Sequence, residues 1–146
     1  MSHVATINIE IRDLDCLAKA AKQLGLELIQ NQKTYKWYGT GVGDFPLPDG
    51  FKAEDLGHCE HAIRIPGNDQ AYEIGVVKRR DGQPGYTLLW DFWQGGYGMQ
   101  QKVGTNGERL KQEYAAQFAV KTWQRKGFRV NVQRKEDGHV VVRATR

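Results

Sequence analysis

Tyr86-Thr87-Leu88-Leu89-Trp90-Asp91-Phe92-Trp93 is the stretch that decides the fold. In an extended chain its large side chains would alternate, with Tyr86, Leu88, Trp90 and Phe92 on one face and Leu89 and Trp93 on the other. Apolar residues on both faces are typical of a strand in the interior of a sheet. Residues 72–80 precede it as a second strand, and Asp81-Gly82-Gln83-Pro84-Gly85 between them predicts a β-hairpin.

The segments on either side supply two helices and the remaining strands. Residues 4–11 alternate in the pattern of a half-buried strand, and further strands are expected at 26–30, 34–38 and 61–65. Asp13 can cap a first helix that Gly25 ends. Thr105 and Glu108 fit a capping box for a second helix that ends at Gly127. A hairpin of 128–133 and 139–143 follows.

These elements predict an α+β fold, a mostly antiparallel sheet with two helices packed on one face. The order is β-α-β-(β)-loop-(β)-β-β-α-β-β, in one domain over 1–146 with a Gly/Pro-rich insertion at about 39–60. The predicted buried stripe of the second helix consists of Leu110, Tyr114, Ala115, Phe118 and Ala119, extended by Trp123.

Several classes of function lack the residues that they need. No apolar run approaches the length that spans a bilayer, and because no basic stretch followed by an apolar one occurs at residues 1–4, no secretory signal is predicted there. Its two cysteines, Cys16 and Cys59, do not form a disulfide framework, so a cytoplasmic location is expected. Ser2 is the only serine, which leaves serine-hydrolase chemistry without a nucleophile. No catalytic residue and no cofactor are predicted.

Two short motifs have the residue types of binding sites but lack the spacing or the neighbouring helix that such sites need. His58, Cys59 and His61 carry the imidazole and thiol groups that zinc prefers, but their spacing matches no known zinc finger. They are therefore weak metal candidates. The glycines of 39–43 are followed by two prolines rather than by a helix, so a flexible loop is predicted there instead of a phosphate site.

The positive charge is concentrated in the C-terminal part of the chain. From Gly107 onward ten basic residues oppose four acidic ones, a net +6, which leaves −2 for the rest of this +4 chain. Such asymmetry is typical of a surface that meets an acidic partner. The candidate nucleic-acid contacts are Lys78, Arg79, Arg80, Lys121, Arg125, Lys126, Arg129 and Arg134.

The two glycine-rich loops are the predicted protein-contact surfaces. Residues 39–60 and 94–99 have no regular hydrophobic period, and the side chains that they or their borders would present are Phe45, Phe51, Trp93, Tyr97 and Met99. Asp91 stands out within the predicted interior strand, because a buried carboxylate there needs hydrogen-bond donors or an ion pair.

An ordered set of segments spread over nearly the whole chain resembles the Ycf-type (hypothetical chloroplast reading frame) proteins of plastids, cyanobacteria, other bacteria and phages. The segments are Met1-Ser2-His3 before the first strand, the helix from Leu17 to Leu24-Gly25, Ile63-Arg64-Ile65-Pro66, Tyr72-Glu73-Ile74-Gly75, 86–93, Tyr114-Ala115, Gly127-Phe128 and Asp137-Gly138. The long 38–60 stretch is more similar to the phage-borne members. The family has no assigned activity, so the resemblance supplies no catalytic residue. Because bacterial members often accompany AAA-type ATPase genes, it implies a role in protein assembly.

Three functions remain open. The first is a non-enzymatic binding or adaptor domain that acts through protein contacts, with an AAA-type ATPase system as one partner. The second is a nucleic-acid-associated protein that uses the basic C-terminal helix and hairpin. The third is a small-ligand or nucleotide-binding protein whose glycine-rich loops close over a pocket.

Overall fold

The computed structural model of the chain describes residues 2–39 and 46–146. A five-stranded antiparallel sheet forms its centre, in the order β1-β5-β4-β3-β2. The strands are β1 (Val4–Ile11), β2 (Glu27–Gln30), β3 (His61–Arg64), β4 (Ile74–Lys78) and β5 (Tyr86–Asp91). The predicted α+β class is confirmed, and β5 lies inside the sheet between β1 and β4.

In the described part of the chain, three α-helices pack on one face of this sheet. They are α1 (Leu14–Gln23), the short α2 (Met99–Val103) and α3 (Glu108–Arg125). Ile7, Ile74 and Leu88 of the sheet pack with Leu17 of α1 and Leu110 of α3 in one buried cluster. The alternation of β1 and β5 therefore places every second residue against the helices, as the sequence predicts.

The opposite face of the sheet is covered by the connection between β2 and β3. Tyr35, Phe51 and Leu56 from this connection join Val77 and Leu89 of the sheet in a second buried cluster. The described part of the 39–60 stretch is thus a covering layer with its own core. Both faces of the sheet are buried there, which explains why β5 is apolar on both sides.

The strand predicted at 34–38 is wrong, since Thr34 makes only an isolated bridge with His58. Two carboxylates take the backbone N–H groups that a strand would need. Lys36 N donates to Glu73 at 2.8 Å, and Tyr38 N donates to Asp91 at 3.1 Å. The segment is held by these side chains and by single backbone bonds, such as Glu73 N to Lys36 O at 2.9 Å, instead of by the ladder of a neighbouring strand.

The helix starts follow local hydrogen bonding. Cys16 N donates to the Asp13 carboxylate at 3.0 Å, so the predicted cap of α1 is confirmed. At the second predicted cap, Glu108 accepts from Thr105 N at 3.2 Å and from Asn106 N at 2.8 Å. These bonds hold Thr105 and Asn106 in a turn, and α3 begins only at Glu108.

The C-terminal hairpin forms a second sheet of two strands, β6 (Arg129–Arg134) and β7 (Val140–Thr145). The predicted turn around Asp137-Gly138 joins them. An isolated hairpin is marginal in water, and this one packs on α3. Arg134 donates two bonds, at 2.8 and 3.1 Å, to the buried carboxylate of Glu113 on α3.

Candidate functional site

An apolar groove of about 660 Å³ runs between β1 and the outer face of α3. Phe118 is 41% exposed and Trp123 is 38% exposed, although both are large apolar side chains. Ala115 and Ala119 leave room beside them. The lining residues are Ile9, Glu10, Arg12, Lys111, Tyr114, Ala115, Phe118, Ala119, Thr122 and Trp123.

Partly buried hydrogen bonds fix the two walls of this groove relative to each other. The Tyr114 hydroxyl accepts from Arg12 N at 2.9 Å and from Asp13 N at 3.1 Å, which ties α3 to the end of β1. Lys121, one turn beyond Phe118, donates to the Asp13 carboxylate. This bond lowers the pKa of Asp13. The groove is therefore held open by the fold rather than formed by a mobile loop.

Strand β1, one wall of the groove, is an edge strand of the sheet. Phe92 N donates to His3 O at 3.0 Å, and hydrogen-bonded and non-bonded pairs alternate along an antiparallel ladder. His3 therefore belongs to a hydrogen-bonded pair, and so do Ala5 and Ile7, whose N–H and C=O groups point toward β5. Thr6 lies between them, so its N–H and C=O groups point away from β5. The outer edge of β1 has no strand partner among residues 2–39 and 46–146.

Sequence reasoning missed this groove, because it assigned Ala115, Phe118 and Trp123, which are exposed, to the buried stripe of the helix. That assignment is wrong. Leu110 and Tyr114 are buried as predicted, but α3 is 18 residues long and its second half continues past the end of β1. The apolar period persists where no sheet lies beneath it. The mismatch between helix length and strand length was the signal that could have found the groove.

Most of the predicted nucleic-acid contacts have partners inside the fold. Arg79 pairs with Glu10 at 3.2 Å and with Asp81, and Lys121 and Arg134 pair with Asp13 and Glu113. Two further cations lie over aromatic rings, Arg80 at 4.6 Å from the centre of Phe51 and Lys126 at 5.2 Å from Trp123. Lys78, Arg125 and Arg129 are exposed.

The predicted protein-contact residues divide between core and surface. Phe51 and Met99 are buried, so neither side chain is on the surface. Trp93 is half-buried with its edge against the ring of His3, at 4.9 Å between centres. Tyr97 is 47% exposed and contacts Tyr72. Phe45 lies outside the described residues.

The three metal candidates do not converge. His58 is exposed, whereas the Cys59 thiol is buried and donates to Gln32 O at 3.1 Å. Burial raises the pKa of Cys59 to about 12, which keeps the thiol protonated. His61 accepts a hydrogen bond from Asn31 N at 2.9 Å through Nδ1. No group of three or more potential metal ligands occurs in the part of the chain that the structure describes.

The buried imidazole of His61 makes stability depend on pH. Burial lowers the pKa of His61, so the unfolded chain binds the proton more readily than the folded one. The stabilisation is complete above the unfolded pKa of about 6.5 and is lost as the pH falls below it. We expect denaturant unfolding between about pH 7.5 and 5 to show this loss. His61→Asn, whose side-chain oxygen can still accept from Asn31 N, should reduce it, whereas His58→Asn at an exposed site should not.

Asp91 has no cation beside it among the described residues and accepts three backbone N–H groups instead. They come from His3 at 3.0 Å, Trp93 at 3.0 Å and Tyr38 at 3.1 Å, and the carboxylate is fully buried. The four residues from Gln94 to Tyr97 then follow in left-handed conformation, with φ between 51° and 65°. Asp91 is thus the junction of β1, the covering layer and this left-handed turn.

Comparison with known families gives one result. The model of the family described as "Protein of unknown function (DUF1257)" matches residues 49–142, which is more than half of the chain. This chain belongs to the DUF1257 family. The matched region contains the left-handed turn and all of α3, so the DUF1257 segment supplies one wall of the groove and β1 supplies the other. No curated protein and no solved structure matches the chain significantly.

None of the helices that the structure describes is both long enough and apolar enough to cross a membrane.

Proposed function

We propose that this DUF1257 protein is a non-enzymatic protein-binding domain whose recognition surface is the groove between β1 and α3. The observation that carries the proposal is the exposure of Phe118 and Trp123 along a groove fixed by the buried Tyr114 hydroxyl. Aromatic side chains in concave, water-excluding sites contribute most of the energy in many protein interfaces. This location replaces the two glycine-rich loops as the main contact surface.

The polar side chains nearest the groove favour binding over catalysis. Glu10 is engaged by Arg12 at 3.3 Å and by Arg79 at 3.2 Å. Lys111 lies on the other wall. The groove contains no paired carboxylates and no nucleophile beside a base among its lining residues. Its apolar walls would exclude water from a partner side chain, which is the property of a docking surface.

The resemblance to Ycf-type proteins indicates which partner to examine first. Since bacterial members often accompany AAA-type ATPase genes, we propose a subunit of such an ATPase system as the first protein to test. A cytoplasmic location fits this partner.

The test is site-specific photo-crosslinking followed by measured binding. A benzophenone amino acid at Ala119, inside the groove, should give a covalent adduct with a polypeptide in cells that express the protein. The same probe at Gln133, on the polar face of the hairpin, should not. The purified partner should then bind the protein at least about tenfold more weakly after Phe118→Glu.

Leu47→Glu is the matched control, because Leu47 is 44% exposed in the covering layer. It should leave the affinity unchanged. If Leu47→Glu weakens binding and Phe118→Glu does not, the contact surface is the loop and the groove proposal fails. Equal adducts from Ala119 and Gln133 would also contradict it. Thermal unfolding of both variants shows whether a loss of binding follows from a loss of fold.

One observation favours a second function, binding of single-stranded nucleic acid. Trp123 and Phe128 meet edge to face at 5.0 Å, and Lys126 and Arg146 lie over these two rings. Aromatic rings beside cations are typical of such sites. In that case the adduct from Ala119 is sensitive to nuclease, binding weakens steeply with salt, and charge reversal at Arg125 and Arg129 abolishes it.

A further inference from the structure

Resting on this proposed function, we infer that a second copy of this chain occupies the groove, with α3 of one copy packed antiparallel on α3 of the other. The feature that carries the inference is a stripe along α3 whose members recur at alternating spacings of three and four residues. They are Glu108, Lys111, Ala115, Phe118, Thr122 and Arg125. This spacing is typical of the contact line between two helices that cross at a small angle.

The fold leaves this stripe on the surface. Its central members, from Lys111 to Thr122, line the groove, and its two ends are exposed. The opposite side of α3 is occupied, because Leu110 is in the main core and Glu113 is bonded by Arg134 of the hairpin. The stripe is therefore the side of α3 that is open to another helix.

The stripe is complementary to itself when it is reversed. A two-fold axis makes every contact between unlike residues occur twice, once in each direction. In the antiparallel pair the opposed residues are Ala115 with Phe118, Lys111 with Thr122, and Glu108 with Arg125. The large ring thus lies over a small residue, a carboxylate faces a guanidinium at both ends, and no like charges of the stripe are opposed.

The charged ends are available for this pairing. Each oxygen of the Glu108 carboxylate accepts one backbone N–H from its own chain, which leaves a lone pair on each for a cation. Arg125 is exposed and forms no ion pair within residues 2–39 and 46–146. On the other wall of the groove Glu10 and Arg12 pair with each other at 3.3 Å, so this wall adds no net charge.

The first experiment is sedimentation velocity of the full-length protein over a range of concentrations. One helix and one strand end per copy make a small interface, so we expect a reversible dimer with a Kd between about 1 and 100 μM. Phe118→Glu should weaken it at least about tenfold, because a carboxylate then faces the apolar site at Ala115. Leu47→Glu, in the covering layer, should leave it unchanged.

A charge reversal tests the ends of the stripe. Arg125→Glu sets two carboxylates against each other at both ends of the antiparallel pair and should weaken the dimer about tenfold. Arg143→Glu makes the same change of net charge at an exposed site on the hairpin and should leave the Kd unchanged. Thermal unfolding of each variant shows whether a weaker dimer follows from a loss of fold.

Engineered cysteines test the direction of the helices. Oxidation of the double variant Lys111→Cys/Thr122→Cys should link two copies, because these positions are opposed in the antiparallel pair. Neither single variant should be linked, because two copies of one position lie about 16 Å apart along the helices, too far for a disulfide. The native Cys16 and Cys59 are buried. A single variant that links as readily as the double variant would overturn the antiparallel arrangement.

The remaining outcomes separate this inference from the proposed function. The benzophenone probe at Ala119 should give an adduct of twice the mass of the chain. A protein that stays monomeric at about 500 μM, or a dimer that Phe118→Glu leaves intact, overturns the inference. The proposed function still stands in that case if the probe captures a different protein whose binding depends on Phe118. If no adduct and no dimer depend on Phe118, both proposals fail.

Discussion

Asp91→Asn is expected to lower the free energy of unfolding by about 2–4 kcal/mol. The carboxylate accepts N–H groups from His3, Tyr38 and Trp93 at 3.0–3.1 Å and is fully buried. An asparagine keeps one oxygen but turns an NH₂ group toward a backbone donor. At least one N–H then remains buried without an acceptor, and the charge that strengthened the other bonds is gone.

Chemical denaturation at neutral pH measures this loss. The matched control is Asp137→Asn in the exposed turn of the hairpin, where the carboxylate likewise accepts a backbone N–H, from His139. There water replaces the lost interaction, so the change should stay within about 0.5 kcal/mol. Equal effects at the two positions would show that burial of Asp91 does not control the stability of this junction.

Gly75→Ala is expected to destabilise the protein by about 1–3 kcal/mol through overpacking. Gly75 is the second residue of β4, opposite Ala62 of β3 and Leu89 of β5. A Cβ at this position would stand 2.4 Å from Cδ1 and 2.7 Å from Cε1 of the Tyr35 ring. Tyr35 is itself buried in the second cluster, so the ring has little room to move.

A double-mutant cycle isolates the clash. In a Tyr35→Ala background the ring is gone, and adding Gly75→Ala should cost much less than it does alone. In a Tyr35→Phe background the ring remains, and the full cost should persist. If the cost of Gly75→Ala is the same in all three backgrounds, the backbone conformation of Gly75 rather than the contact with Tyr35 determines the effect.

The sequence was sufficient to predict the helix side of the sheet. Alternation in 4–11 and 86–93 identified two strands and their faces, and Asp13 marked the start of α1, because these are local signals that the tertiary structure reinforces. The covering layer was not predictable in this way. Tyr35 and Phe51 reach the core from an irregular segment. Because only isolated side chains of such a segment are buried, the sequence shows no hydrophobic periodicity that would predict its packing.

The candidate site could not be predicted from local sequence patterns either. A helical apolar period states which side of α3 is apolar, but it does not state how far the sheet extends beneath it. The exposure of Phe118 and Trp123 depends on where β1 ends, and only the three-dimensional packing gives that. Likewise, the charge of the C-terminal segment was counted correctly, but its neutralisation by Asp13, Glu113 and Glu10 joins residues far apart in the chain.

Burial of both broad surfaces of the sheet constrains how this protein could build a larger structure. Helices occupy one surface, and Tyr35, Phe51 and Leu56 cover the other. A second protein cannot stack on either of them without displacing core residues. Assembly through the sheet itself can therefore make it wider by one strand at a time but cannot add a layer to either face, so partners that do not pair with an edge strand must dock on the helices, the covering layer or the hairpin.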